Sequence, residues 1–335
     1  MHHSLYIKLT ALALILTSCI TPSPEKSYRE YSGTIFKTLF HIKYEAAASL
    51  DTAILAELQR FDASMNPFNP HSIIARVNRN DSIAVDQWFT QVFDAAQLVA
   101  EQSDGMFDIT CSPYINLWGF GFGKRQEATP ERLDSIAAFV GYRKVRLHEG
   151  RIVKDDPRLT LNCSAIAKGF AVDVIGALLT HYEVENYMVE IGGEVAVKGC
   201  NNTGKPWRIG INKPIDDSSG AVNELEEILS ITDIAVATSG NYRNYYVKKG
   251  KKYAHTINPK TGYPSEQQIL SATIIAPSCL MADAYATACM AMGLKDAIAM
   301  QHKTQAFDYY FIYADSTETY RHAYSKGMKR YRTKD

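Results

Sequence analysis

An α+β fold is what this sequence predicts: one globular domain with flanking helices, placed behind an exported leader. Three observations predict it. Segments of helical and strand periodicity alternate along the chain in an α+β manner. No internal repeat or low-complexity block interrupts them. The composition, 46% hydrophobic and 21% charged over 335 residues, is that of a chain able to bury a sizeable core, which excludes disorder.

The first element is the leader. Met1–Lys8 has basic character, Leu9–Thr17 is a short apolar run, and the run stops at Ser18-Cys19. It falls short of the ~20 apolar residues of a membrane span. Leu16-Thr17-Ser18-Cys19 resembles the bacterial lipoprotein cleavage box. Residues 1–18 are therefore expected to be removed, leaving Cys19 as a lipid-carrying first residue. Residues 19–32, with two prolines, would tether the lipid to a domain spanning 33–335. An exported protein, lipid-anchored on the periplasmic side of a bacterial membrane, is the expectation.

Within the domain, Thr34–Tyr44 has strand character, and Ser49–Phe61 has the period of an amphipathic helix. Val85–Glu101 reads as a second helix, opened by Asp86 and closed before the Asp104-Gly105 turn. A strand at Leu159–Asn162, a helix at Ala167–His181 and a strand at Tyr187–Ile191 follow, the last ending in Gly192-Gly193. Further strands are expected at Trp207–Asn212, Ile228–Ala237, Tyr253–Ile257, Ser271–Ala276 and Tyr309–Tyr313. Helices are expected at Met281–Met292 and Leu294–Gln301. Lys124–Pro130 and Pro214–Glu224 read as surface excursions.

Charge and cysteine usage narrow the function. With 36 basic and 36 acidic residues there is no field to recruit a polyanion, so a nucleic-acid partner is not expected. Beyond Cys19, Cys111, Cys163, Cys200, Cys279 and Cys289 show no C-x-x-C and no Cys/His spacing. That argues against zinc and a disulfide framework, and for small buried hydrophobes. Gly199 to Lys205 has P-loop glycine and lysine spacing, but Pro206 stands where a Mg²⁺-binding hydroxyl belongs, so a turn is expected. Gly119-Phe-Gly121-Phe-Gly123 lacks dinucleotide-fold spacing, and neither G-x-S-x-G nor H-E-x-x-H occurs.

Four segments carry chemistry. Ala165-Ile-Ala-Lys168-Gly169 opens a helix, whose N-terminus attracts anions, and Lys168 adds a mobile positive charge. Thr238-Ser-Gly-Asn-Tyr ends a β run in hydroxyl residues. His255 stands at a strand end before the tight Asn258-Pro259-Lys-Thr-Gly262 turn. Asp283 and Thr287 are four apart, on one helix face, and such oxygens suit a hard cation such as Mg²⁺.

Seven stretches in order resemble the ApbE family, the FAD:protein FMN transferases. They are Ser103-Asp-Gly-Met-Phe-Asp108-Ile-Thr110, Trp118-Gly-Phe-Gly, Ala165 to Asp173, Glu190-Ile-Gly-Gly-Glu194, Thr238-Ser-Gly-Asn-Tyr, His255 to Gly262, and Ala282 to Thr287. The resemblance implies a single domain with mixed or antiparallel sheets. It implies a Mg²⁺ site made from the carbonyl of Ala165, the side chains of Asp283 and Thr287, and the backbone of Ala286. Lys168, Asp108, Ile257 and the Ser64–Phe68 loop (Ser64, Asn66, Phe68) would contact the flavin nucleotide. The family's Met-Gly-Thr near the first strand is Thr38-Leu39-Phe40 here, so no flavin contact carries over to that strand. The implied reaction moves FMN from FAD to a Thr or Ser hydroxyl of an acceptor protein, such as a membrane redox-complex subunit, and releases AMP. His255 is the leading candidate for the base, with Asp283 second. Hydrolysis of FAD to FMN and AMP, or flavin binding without chemistry, would use the same residues.

Overall fold

The computed structural model describes residues 25–333 apart from 122–123, 216–223, 242–244, 249–250, 267, 316 and 318. Strands β1 (Ser27–Ile35) and β2 (Thr38–Ala46) open the fold as a hairpin. Helices α1 (Asp51–Met65), α2 (Ile73–Asn78), α3 (Gln87–Gln102), α4 (Ser112–Leu117) and α5 (Pro130–Ala137) follow. A small hairpin, β3 (Val145–His148) with β4 (Arg151–Lys154), precedes α6 (Ala167–His181). Then come β5 (Tyr187–Ile191), β6 (Glu194–Lys198), the paired β7 (Trp207–Asn212) and β8 (Leu225–Ile231), and β9 (Ile234–Gly240). A further hairpin, β10 (Tyr245–Lys248) with β11 (Lys251–Ala254), leads to β12 (Ile269–Ala276). Helices α7 (Cys279–Met292) and α8 (Leu294–Thr304) and strands β13 (Asp308–Ala314) and β14 (Tyr320–Tyr324) follow, with a short 3-10 turn at Gly327–Arg330 after them.

Among the described residues, eight strands form one sheet in the order β1-β2-β5-β6-β9-β12-β13-β14, every neighbouring pair antiparallel. Period-two alternation gives it two apolar faces. Val189, Ile191, Ala235, Ala237, Ala272, Ile274 and Phe311 point into the main core, where α6 and α7 cover the sheet and α1 and α3 pack on those two helices. Val195, Val197, Val236, Ile275 and Ile312 point the other way, into a second core closed by the β7/β8 hairpin and Met328. Each fully buried Leu, Ile or Phe contributes roughly 1.5–3 kcal/mol. A third cluster, with Tyr114, Leu117, Trp118, Leu133 and Ile257, packs α4 and α5 beside the His255 turn.

Helix α7 shows why the site lies inside the fold. Apart from Asp283, Tyr285 and Thr287, its residues are Ala, Cys, Leu and Met, and a helix apolar on every side is a buried one. Ser278 caps it by accepting from the Met281 N–H, 3.3 Å.

The fold departs from the sequence reading at five places. Thr34–Tyr44 is not one strand: Phe36 and Lys37, both at positive φ (52° and 61°), turn it into the β1/β2 hairpin. Residues 27–32, expected to be tether, begin β1. Leu159–Asn162 buries Leu159 and Leu161 in alternation but is no strand. The Asn78 side chain brackets Leu161 (2.7 and 2.9 Å) and Ile109 O takes the Asn162 N–H (2.7 Å), in place of a neighbouring strand. Ile228–Ala237 is broken at Thr232-Asp233, where Asp233 is left-handed (φ 51°) and the chain passes from the β7/β8 pair to the main sheet. Finally, Tyr253–Ile257 ends as a strand at Ala254, and Ile257 makes an isolated bridge to Pro264. Gly199 to Lys205 is a turn, as expected. Part of the Pro214–Glu224 excursion, and all of residues 1–24 including Cys19, lie outside the described residues. Among the described residues no helix is long and apolar enough to cross a membrane.

Candidate functional site

The site is built at the crossing of α6 and α7. A Cβ on Gly169 would stand 2.2 Å from the carbonyl oxygen of Cys279 and 2.7 Å from Asp283 Cβ, so only glycine permits this approach. Asp173, one turn along α6, accepts the first two amides of α7, from Cys279 and Leu280, both at 2.8 Å. A carboxylate there suits the positive end of the α7 dipole. Burial nevertheless pushes the Asp173 carboxyl up to about 6, against the pull of those amides.

This clamp brings three charged groups together. Asp283, 3% exposed, accepts the Gly169 N–H on Oδ2 at 3.0 Å. Lys168 Nζ stands 4.0 Å from that oxygen and 2.5 Å from Oε1 of Glu194, the first residue of β6. Burial alone would lower the Lys168 pKa, but Asp283 and Glu194 outweigh it, so the ammonium is held charged. Glu194 is also 3% exposed; burial raises its pKa, Lys168 opposes the rise and Asp283 adds to it. Its second oxygen, Oε2, is buried without a hydrogen-bond partner among the described residues. A Cβ on Gly192 would meet Lys168 Cδ at 3.2 Å and Thr38 at 3.0 Å, which places the β1/β2 turn against the same lysine.

One turn along α7, Thr287 Oγ1 lies 3.3 Å from Ser239 Oγ at the end of β9. Two residues on, Asn241 accepts from Thr256 Oγ1 at 2.7 Å, fixing the residue next to His255. The His255 turn is held from its other side by Trp118 Nε1, which donates to Gly262 O at 2.7 Å, and by Lys260 Nζ to Asp104 Oδ2 at 2.6 Å. The His255 ring meets Phe120 edge-on, at 6.4 Å between centroids. Phe120 stacks on Tyr246, Tyr246 on Tyr253, and Tyr253 on Trp118, at 5.2–5.5 Å. The α6/α7 crossing and the histidine turn are thus joined through the end of β9.

The ApbE family model matches residues 36–311 of this chain. The chain belongs to the ApbE family. It is 35% identical to an FAD:protein FMN transferase of Haemophilus influenzae over 323 residues, covering 91% of this chain and 92% of the relative. It is 37% identical to the one from Vibrio cholerae over 311 residues, 89% and 91% of the two chains. The solved flavin transferase ApbE from Vibrio cholerae superposes with a TM-score of 0.82 at 33% identity, covering 91% of this chain and 99% of that one.

The ApbE-like residues expected to hold a cation fit that task chemically. Ala165 lies in the turn before α6, and Asp283, Ala286 and Thr287 share α7. A peptide carbonyl, a carboxylate and a hydroxyl are all hard oxygen donors, which suits Mg²⁺ and disfavours a soft metal. Among the described residues no group of three His, Cys, Asp or Glu could hold a metal. The described cysteines are unpaired, and four of the five are buried.

The expected flavin contacts fall in two groups. Phe68 is 54% exposed, with Lys37 Nζ of the β1/β2 turn 4.0 Å above its ring. The others are engaged in the scaffold. Ser64 donates to Asp86 Oδ1 (3.0 Å), the cap of α3, and Asn66 donates to Asp62 (2.7 Å) while accepting from the Phe68 N–H (2.9 Å). Asp108 accepts from Thr110 and from the Tyr142 N–H, and burial raises its pKa against those bonds. Ile257 is 7% exposed within the third core. A cavity of about 810 Å³ lined by Gln301, Asp308, Tyr324 and Arg330 includes none of these residues. Sequence reasoning gave Glu194 and Asp173 no role. The available signal was a charged residue set among glycines and valines, where a buried charge demands a partner.

Proposed function

We propose that this chain transfers the FMN half of FAD to the hydroxyl of a Thr or Ser in an acceptor protein, through a phosphoester bond, with AMP as the leaving group. The observation that carries the reading is the convergence of Lys168, the Gly169 amide, Asp283 and Thr287 at one helix crossing, where a pyrophosphate and a cation can be held side by side. The curated relatives named FAD:protein FMN transferase support it.

Mg²⁺, held by the Ala165 carbonyl, Asp283, Thr287 and the Ala286 backbone, would neutralise charge on the pyrophosphate. Lys168 steadies a phosphate oxygen. His255 takes the acceptor hydroxyl proton as that oxygen attacks the FMN phosphorus. The bond from this phosphorus to the AMP oxygen breaks, and AMP leaves with the electron pair. The Trp118, Asn241 and Asp104 contacts fix the turn that carries His255. Processing at Cys19 and a lipid anchor on the periplasmic side would bring the enzyme to acceptor subunits of membrane redox complexes.

The test is incubation of the chain lacking residues 1–19 with FAD, Mg²⁺ and an acceptor, followed by in-gel flavin fluorescence of the denatured acceptor. A fluorescent band lost with EDTA supports the proposal. Release of FMN and AMP without a band identifies hydrolysis, and intact FAD identifies a binding protein.

A further inference from the structure

We propose that Glu194 is a positioning residue that holds Lys168 off Asp283 and so keeps the Asp283 carboxylate open to the cation. The inference rests on the Mg²⁺ reading above. Lys168 carries one positive charge between two buried carboxylates, 2.5 Å from Glu194 and 4.0 Å from Asp283. The side chains of those carboxylates are 5% and 4% exposed and that of the lysine 32%, so whatever screening water gives at the ammonium acts on both attractions alike. The contest therefore turns on distance, and Glu194 wins it.

The Oε2 atom of Glu194 is buried and has no hydrogen-bond partner among the described residues, so Lys168 is the one cation within reach of this carboxylate there. The backbone at Gly192 confines the lysine stem on one side. If the Glu194 charge is removed, Asp283 is the remaining carboxylate paired with Lys168, and closing the 4.0 Å gap needs a shift of about 1 Å to reach ion-pair contact. An ammonium seated on Asp283 then competes with a divalent cation for the same oxygens. Glu194 thus acts on the metal through Lys168, without being one of its ligands.

The experiment measures Mn²⁺ binding to the FAD-free chain by the electron paramagnetic resonance signal of free Mn²⁺. It compares wild type, Glu194→Gln, Lys168→Met and the double variant. Glu194→Gln is expected to weaken Mn²⁺ binding on the order of tenfold. On the Lys168→Met background the same change is expected to alter binding by less than about twofold, because the competitor is gone. Equal loss on both backgrounds would mean simple removal of negative charge and would overturn the proposal, as would no loss at all. Lys168→Met alone must bind Mn²⁺ at least as tightly as wild type; weaker binding also overturns it. A wild-type chain that binds no Mn²⁺ overturns this inference, whereas flavin transfer that persists in EDTA overturns the metal reading itself.

Discussion

Gly169→Ala is the smallest change that strikes the site through its packing. The added methyl would lie 2.2 Å from the Cys279 carbonyl oxygen, a backbone atom that cannot rotate away. Restoring ordinary contact requires α6 and α7 to separate by about 1 Å at their crossing, and overpacking of this kind costs typically 1–3 kcal/mol. In a domain of this size that corresponds to a fall in Tm of roughly 2–5 °C. The catalytic loss should be larger in proportion, because the Gly169 N–H that orients Asp283 at 3.0 Å moves with the helix. A misplacement of ~1 Å can cost on the order of a hundredfold in rate. The assay pairs a thermal melt with FMN-transfer turnover at saturating FAD and graded Mg²⁺. A variant with unchanged Tm and turnover within about twofold of wild type would refute the claim that the close approach at Gly169 sets the Asp283 geometry.

His255→Ala should lower turnover at saturating FAD by roughly 10²–10⁴-fold while FAD binding, followed by flavin fluorescence, is retained; unchanged turnover removes His255 as the base. Trp118→Phe leaves the Gly262 carbonyl without its donor, so a loss of about 1–3 kcal/mol in urea-unfolding stability is expected, together with slower turnover from a loosened His255 turn. Asp173 makes stability depend on pH. Its folded pKa, raised from 3.8 to about 6 by burial, means the folded state holds this proton more tightly. The contribution favours folding in full below 3.8 and is lost as pH rises through about 6, a span of about 3 kcal/mol. Asp173→Asn should therefore flatten the stability profile between pH 4 and 6 relative to wild type, and an unchanged slope would contradict the assignment.

What the sequence disclosed depended on whether the information was local. Ala167–His181, Tyr187–Ile191 and Trp207–Asn212 agree with the structure end to end, because periodicity and flanking residues mark them within a few positions. The β1/β2 turn was hidden because Phe36-Lys37 takes left-handed φ without the Asn or Gly that usually announces it. Leu159–Asn162 alternates like a strand, but its partner is the Asn78 side chain, which no pattern along the chain can reveal. The site divides in the same way. Lys168, Asp283, Thr287 and His255 stand in recognisable motifs, and the structure joins their elements through Gly169, Ser239 and Asn241. The clamp of Asp173 on α7 and the grip of Glu194 on Lys168 span 106 and 26 residues of chain, so only the fold displays them.

The product balance of one reaction separates transfer from hydrolysis: protein-bound FMN on the acceptor by intact-mass spectrometry, and AMP by chromatography, with FAD, Mg²⁺ and the chain lacking residues 1–19. The account predicts equal amounts of AMP and acceptor-bound FMN, with the flavin mapped to a single Thr or Ser, and neither product with EDTA or with Asp283→Ala. AMP formed together with free FMN and an unmodified acceptor, or transfer that survives the loss of Asp283, would contradict it.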